Sequence, residues 1–304
     1  MSIKKYDYLP HLDSEIEWWY FTGFLNEKFG FEFTMFLTKP RFFPMGGNFI
    51  SLRTSLTHFA ITDLERNDFF FTEWTKWIDF THEGVEENLL KIKSKYAGLE
   101  INGDEYLIQA DGEIYELALY GKNKKAIVSH GKDGIIEMQG GKSYYYTAPG
   151  CEASGILRIG ERFIPVRGEF WHDHQWGNFQ IKGGWDWFSI RLENETEIMA
   201  FRIRDPGKGT IAKYLSVILP DGSTEKFETF SLNPVEKGEK YPTEWVLQFE
   251  KGNLSIKSVP VKQVIRSKIP FVPEYAEMLS FTEGTLYGKK VKGYAYVEIT
   301  NGKR

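Results

Sequence analysis

Apolar and polar positions alternate with a period of two over most of this chain, and turn-forming dipeptides interrupt the alternation at short intervals. Side chains on a strand point to opposite faces in turn, so this period predicts β-structure with one face buried. "EWWYFTGFLNEKFGFEFTMFL" (Glu17–Leu37) reads as strand, tight turn and strand. Asn102-Gly103, Asp111-Gly112, Asp133-Gly134 and Asp221-Gly222 predict further hairpins, because such pairs accept the positive φ of tight turns. "IYELALY" (Ile114–Tyr120), "GILRIG" (Gly155–Gly160), "VRGEFWHDHQW" (Val166–Trp176), "EIMAFRIR" (Glu197–Arg204) and "GYAYVEIT" (Gly293–Thr300) are all strand-like. No segment holds a helical period for three turns; the best short helical candidate is "PEYAEMLS" (Pro273–Ser280). Many short strands joined by hairpins predict an all-β protein, an antiparallel sandwich or barrel.

Two patterns recur in the same order. "WWYFTGFLNEKFGFEF" from Trp18 aligns with "WDWFSIRLENETEIMA" from Trp185, matching Trp18 with Trp185, Phe21 with Phe188, Thr22 with Ser189 and Leu25 with Leu192. "VRGEFWHD" (Val166–Asp173) aligns with "VKGYAYVE" (Val291–Glu298). Each half opens on a Trp-led hairpin and closes on a Gly-led strand ending in a carboxylate, the mark of a duplicated unit. The glycines of "GNFQIKGG" (Gly177–Gly184) suit a linker, which predicts one domain over 1–176 and a second over 177–304.

Composition narrows the function. Apolar residues make up 41% of 304, enough for a sizeable core. The net charge of −4, with scattered lysines, offers no track for nucleic acid. No apolar run approaches the roughly 18 residues of a membrane helix, and the N-terminal stretch shows no secretory h-region, so a cytoplasmic protein is expected. The one cysteine, Cys151, excludes an internal disulfide framework. Aromatic residues, at 16%, stand out; they fill the core of a β protein or line a wide apolar cavity.

The chemistry concentrates in "FWHDHQWG" (Phe170–Gly177). On a strand, Phe170, His172, His174 and Trp176 share one face, and Trp171, Asp173 and Gln175 share the other. His172 and His174 have the spacing to chelate one ion, but Asp173 cannot join them, and a third ligand would have to come from His11, His58, His82 or His130. No metal is assigned on this incomplete set; the histidines, with Trp176, are read as support for the site. Asp173 carries the sharper expectation. A carboxyl turned into an aromatic interior is held protonated by desolvation and can give its proton to a substrate, unless it caps the strand or pairs with an arginine such as Arg167. Trp171 and nearby tyrosines would then shelter a cation through their π-faces. "SYYYTAPG" (Ser143–Gly150) places Tyr144 and Tyr146 on one face and Tyr145 on the other, before a turn expected at Pro149-Gly150. His58, in "LTHFAITD", shares a face with Ala60 and Thr62 and either lines the pocket or is structural. No nucleophile elbow, phosphate loop or dinucleotide fingerprint is present, and Cys151 has no histidine partner nearby.

The set "EWWYFTGFL", "LTHFAITD", "SYYYTAPGCEASGIL", "VRGEFWHDHQWG", "WDWFSIRL" and "GYAYVEIT", in order over nearly the whole chain, resembles the carotenoid 1,2-hydratase-like (hydroxyneurosporene synthase-like) or AttH-like family of two lipocalin domains. The resemblance implies two tandem lipocalin-like antiparallel β-barrels, a bulky hydrophobic isoprenoid or polyketide substrate, and no organic cofactor. In the hydratases of the family an aspartate in a Y-x-D-x-N-W-G region donates a proton to a C=C bond, and that aspartate maps onto Asp173. Here Trp171 replaces the tyrosine, Gln175 the asparagine, and Tyr144 and Tyr146 fall where a His-x-Trp pair stands. Asp173 therefore transfers and those partners do not.

The expectation is a cofactor-independent hydratase or isoprenoid cyclase with an aromatic cavity near the junction of the barrels. Asp173 is its acid, Trp171, Tyr144, Tyr146 and Trp185 its shelter, and His58 a further lining residue. The rival readings are a non-catalytic carrier of a hydrophobic ligand and a polyketide pericyclase.

Overall fold

The computed structural model describes residues 7–39, 41–45, 48–78, 85–86, 89–138, 140–179, 183–205, 207–236, 240–269 and 272–300. Among them there is no α-helix, and none therefore long and apolar enough to cross a membrane. The chain divides into two compact units, Met1–Glu65 with Phe70–Gln180, and Arg66–Phe69 with Ile181–Arg304. The division at 180/181 falls just beyond the 176/177 boundary expected from the linker glycines.

Each unit is one antiparallel sheet, 14-stranded in the first and 10-stranded in the second. The first curls into a half-barrel and the second into a nearly closed barrel, so the fold is two tandem lipocalin-like barrels. In the first unit the strand Ile16–Leu25 lies between Phe29–Leu37 and the long strand Arg162–Asn178, which in turn pairs with Gly141–Ile159. In the second, Gly184–Leu192 lies between Glu197–Asp205 and Lys289–Thr300, and Lys289–Thr300 pairs with Tyr275–Leu286.

The recurrence read from the sequence extends to the pairing register. Leu25 pairs with Gly168 and Leu192 with Gly293; Phe21 pairs with Phe33 and Phe188 with Ala200. The two glycines have the same physical reason. A Cβ on Gly168 would stand 2.1 Å from the Phe24 carbonyl oxygen, and one on Gly293 would stand 1.9 Å from that of Arg191. The closing strand of each unit thus approaches its opening strand more closely than any side chain allows.

Two sequence expectations are corrected. Pro273–Ser280 was the best helical candidate, yet Tyr275–Ser280 is the start of a strand. Its side chains are buried on both faces, so tertiary packing overrides the local pattern. Pro149-Gly150 is not a turn. It lies inside the strand Gly141–Ile159, at a bulge where the register shifts between Ala148 and Cys151, with Gly150 at φ +63°. Proline has no N–H for the ladder, and a bulge is one of the few places a sheet tolerates it.

The core of the first unit holds Trp19, Phe21, Phe31, Phe33, Tyr106 and Phe170, and that of the second is built around Phe188 and Trp245. We expect Gly168→Ala and Gly293→Ala each to destabilise the protein by about 1–3 kcal/mol, the usual cost of forcing a methyl into filled space. Urea unfolding followed by tryptophan fluorescence checks this, and a loss below about 0.5 kcal/mol at either position would show that the close approach relaxes freely.

Candidate functional site

The strand Arg162–Asn178 changes character along its length. Val166 is buried between exposed neighbours, whereas from Phe170 to His174 every residue is buried. Polar side chains on both faces of that stretch must therefore be satisfied from within the protein.

The histidine face is the one turned to the core of the first unit. Phe170 is part of that core, and His172 stacks on Phe21 with ring centroids 4.3 Å apart. His172 Nδ1 donates to the Tyr20 carbonyl at 3.2 Å, and its Nε2 has no hydrogen-bond partner among the described residues. Burial pushes the ring well below its ordinary pKa, so it is neutral. His174 stacks on Trp19 at 4.8 Å, and its Nε2 stands 2.9 Å from Glu17 Oε1. His174 Nδ1 is 2.9 Å from the Asp7 carbonyl oxygen and 3.3 Å from the Tyr146 hydroxyl. Glu17 also meets His11, whose Nδ1 is 2.9 Å from Oε1 and whose backbone N–H donates to Oε2 at 2.9 Å. His11 Nε2 reaches Asp7 Oδ1 at 3.1 Å, and its ring stacks on Trp176 at 3.8 Å.

These contacts set the charges. Burial pushes the Glu17 carboxyl up, but hydrogen bonds from His11 and His174 outweigh it and the net direction is down. Burial would lower His11, yet Asp7 and Glu17 raise it to about 9. His174 is lowered by burial, against the pull of Glu17. Among the described residues, His11, Glu17 and His174 form a group whose ligand atoms lie within 4.8 Å of one another. The third ligand sought for the His172 and His174 pair is thus supplied to His174 alone, by His11 and by a glutamate the sequence reading did not single out. His82 lies outside the described residues.

Asp173 occupies the opposite face and is only 3% exposed. Its Oδ2 accepts from the Tyr145 hydroxyl at 2.6 Å; its Oδ1 accepts from Trp171 Nε1 at 2.7 Å and from the Thr147 hydroxyl. Because Thr147 donates to Asp173, its oxygen accepts from His130 Nε2, 2.6 Å away. The His130 ring also packs on Tyr145, with centroids 4.4 Å apart. Burial pushes the Asp173 carboxyl from its ordinary 3.8 up to about 7, against the hydrogen bonds of Thr147, Tyr145 and Trp171. It is a carboxyl populated in both forms near neutrality, the property a proton donor needs. Among the described residues no arginine is paired with it, and Arg167 is exposed.

Cross-strand pairing extends this face into a row, Thr147–Asp173–Tyr20–Thr34–His58. At about 4.8 Å per strand, His58 lies three strands, or roughly 14 Å, from Asp173. It is fully buried, edge-on to Phe36 and Phe71, and 3.6 Å from Glu73. Thr22, next along the same face, is buried and its hydroxyl has no partner among the described residues.

Of the expected shelter, only Trp171 touches Asp173. Tyr144 and Tyr146 pair with Trp176 and His174 and lie on the histidine face, Tyr144 stacked on Trp176 at 5.5 Å. The tyrosine that meets Asp173 is Tyr145. Trp185 belongs to the second unit, where its indole donates to Glu298 at 2.9 Å. Cys151 is buried and bonded to the Ala148 carbonyl.

The raised Asp173 pKa has a thermodynamic counterpart. Between about pH 4 and 7 the folded state holds a proton that the unfolded state has released, so stability falls as pH rises through this window. We expect wild type to lose on the order of 3 kcal/mol more than Asp173→Asn between pH 4 and 8. Titration of the histidines is common to both proteins and cancels in the comparison. Urea unfolding at the two pH values measures the difference; equal losses would place the carboxyl near its ordinary pKa.

Comparison with known proteins follows from this geometry. The AttH-like family profile matches residues 5–302. The AttH protein NE1406 from Nitrosomonas europaea is similar in structure at 24% identity and a TM-score of 0.83, covering 100% of this chain and 98% of that one. Kievitone hydratase from Nectria haematococca is similar at 15% identity and a TM-score of 0.76, covering 98% and 93%. CghA is similar at 10% identity and a TM-score of 0.63, covering 94% and 88%. No protein of curated function matches the chain. The structural likenesses establish the shared two-barrel fold, and the profile, which spans almost every residue, makes the chain a member of the AttH-like family.

Proposed function

We propose that this protein is a cofactor-independent enzyme that protonates a C=C bond of a bulky hydrophobic substrate, with Asp173 as the acid. The observation that carries this reading is a carboxyl buried beneath three hydrogen-bond donors and held near pKa 7. The proton leaves Asp173 for an alkene carbon, and the positive charge develops on the neighbouring carbon. The Asp173 carboxylate that forms is stabilised by Tyr145, Thr147 and Trp171, whose donors already point at it. Capture of the cation by water gives an alcohol and releases a proton. Capture by an internal double bond closes a ring and moves the cation, which then loses a neighbouring proton to form a new double bond. In either case the released proton restores Asp173. His130 Nε2, linked to Asp173 through the Thr147 hydroxyl, is placed to return the proton.

Similarity to kievitone hydratase supports the hydratase branch, and the unpartnered Thr22 hydroxyl offers a buried contact for the attacking water. An isoprenoid-like substrate is the class that offers an electron-rich alkene to such an acid. A protein that only carries its ligand would have no use for an acid poised at neutrality.

The test is incubation with a panel of isoprenoid and polyketide alkenes in D2O, read by mass spectrometry. Wild type should incorporate one deuterium on carbon, with or without the added mass of water. Asp173→Asn should slow this by roughly 10²–10⁴-fold, the usual contribution of a general acid, and Tyr145→Phe, by removing a donor to the Asp173 carboxylate, should shift the alkaline limb of the pH–rate profile upward. Retention of an unchanged alkene by wild type and Asp173→Asn alike would favour a carrier. Turnover without deuterium incorporation would favour a pericyclic reaction.

A further inference from the structure

His11, Glu17 and His174 lie on the face opposite Asp173, and the proton-transfer reading makes no use of them. Their hydrogen bonds raise a question of proton count. His174 has an oxygen 2.9 Å from each ring nitrogen, the Asp7 carbonyl at Nδ1 and Glu17 Oε1 at Nε2. His11 is in the same position, between Asp7 Oδ1 at 3.1 Å and Glu17 Oε1 at 2.9 Å. A carbonyl and a carboxylate only accept, so the four contacts are met either by two doubly protonated rings or by a cation held between two singly protonated ones, and His174 is fully buried. The Tyr146 hydroxyl, 3.3 Å from His174 Nδ1, is the more distant of that nitrogen's two neighbours.

The geometry behind the two rings matches the second of these. Asp7 holds the outer nitrogen of both rings, one through its side chain and one through its backbone carbonyl. Each ring then keeps its proton on the outer nitrogen and presents a lone pair inward. Metal-binding histidines are oriented in this way, by a carboxylate or backbone carbonyl behind the ring. The inward atoms, His11 Nδ1 and His174 Nε2, both converge on Glu17 Oε1. Ligands of a tetrahedral zinc ion at about 2.0–2.1 Å stand roughly 3.3 Å apart. The two 2.9 Å separations would open by about 0.4 Å to admit it.

We infer that His11 Nδ1, His174 Nε2 and Glu17 form a binding site for one divalent transition-metal ion, with zinc as the best match to two imidazoles and one carboxylate. The ligands come from the segment before the first strand, from that strand (Ile16–Leu25) and from the motif strand (Arg162–Asn178), so the ion ties the N-terminal segment to the barrel. Trp176 and Trp19, stacked on the two rings, close the site on the apolar side. The inference is independent of the proposed activity.

The test uses full-length protein freed of metal with a chelator, then titrated with Zn2+ by calorimetry and with Co2+ by visible absorption. One ion per chain should bind, Co2+ should show the ligand-field bands of a four-coordinate site, and Zn2+ should raise the Tm. His11→Gln alters a partly exposed ring outside the strands and should fold, as circular dichroism will verify, yet lose the Co2+ bands and the Tm rise. Asp7→Ala should weaken Zn2+ binding by roughly 10–100-fold while leaving the stoichiometry intact. Absence of Co2+ bands in wild type, or equal Zn2+ affinity in wild type and folded His11→Gln, would overturn the site and leave a His–Glu–His bridge joined by protons alone.

Discussion

A strand buried on both faces puts polar side chains where only the protein can satisfy them, and Asp173 and His174 in the Phe170–Gly177 segment meet this demand back to back. Burial of an unpaired donor or acceptor costs on the order of 1–3 kcal/mol. Aspartate and histidine at consecutive positions therefore recruit separate neighbourhoods. Asp173 gathers Tyr145, Thr147 and Trp171 on one side, and His174 gathers Glu17, Asp7 and His11 on the other. The same desolvation acts in opposite directions on the two chemistries. It raises the carboxyl toward neutrality and drives the imidazoles to their neutral form.

The scaffold repeats and the chemistry does not. Identical registers and the paired glycines at 168 and 293 give both units the same contact between opening and closing strands. Glu298 stands in the second unit where Asp173 stands in the first, but its cross-strand neighbour is Glu277 in place of Thr147. A longer side chain beside a second carboxylate, with an indole from Trp185 as donor, is a different environment on the same backbone.

Much of the fold was legible in the sequence because strand alternation and turn dipeptides are local signals. The division of Phe170–Trp176 into two faces follows from alternation alone, and with it the separation of Asp173 from the histidines. Which face meets the core was not legible, because both are buried and neither is polar throughout. The partners of His174 were equally out of reach, since Glu17 lies in a tryptophan-rich strand that reads as plain core and His11 lies outside any strand. The placement of the tyrosines was legible only in part. Counting faces along "SYYYTAPG" gives the right partition of Tyr144 and Tyr146 from Tyr145, but carries no information on which set meets Asp173. The segment 273–280 misled in the other direction, its short periodic pattern yielding to a sheet that needed one more strand.

The bulge at Pro149-Gly150 sets the phase of its strand. Before it, odd-numbered residues, Tyr145 and Thr147, look toward Asp173; after it, odd-numbered Cys151, Ala153, Leu157 and Ile159 fill the core. One supernumerary residue is thus absorbed opposite Trp171, and Ala148 before it and Cys151 after it keep to the same core face. Loss of either Pro149 or Gly150 would leave Ala148 opposite His172 and Thr147 opposite Asp173, whereas flattening the bulge with both kept, and the hairpin end held by its core contacts, would rotate the remainder by half a turn. Tyr146 would then look toward the Asp173 side, and Tyr145 with Thr147 would face the histidines. Across chains of this fold, whether the kink absorbs its extra residue therefore decides which side chains meet the position of Asp173, with no change to any of those side chains.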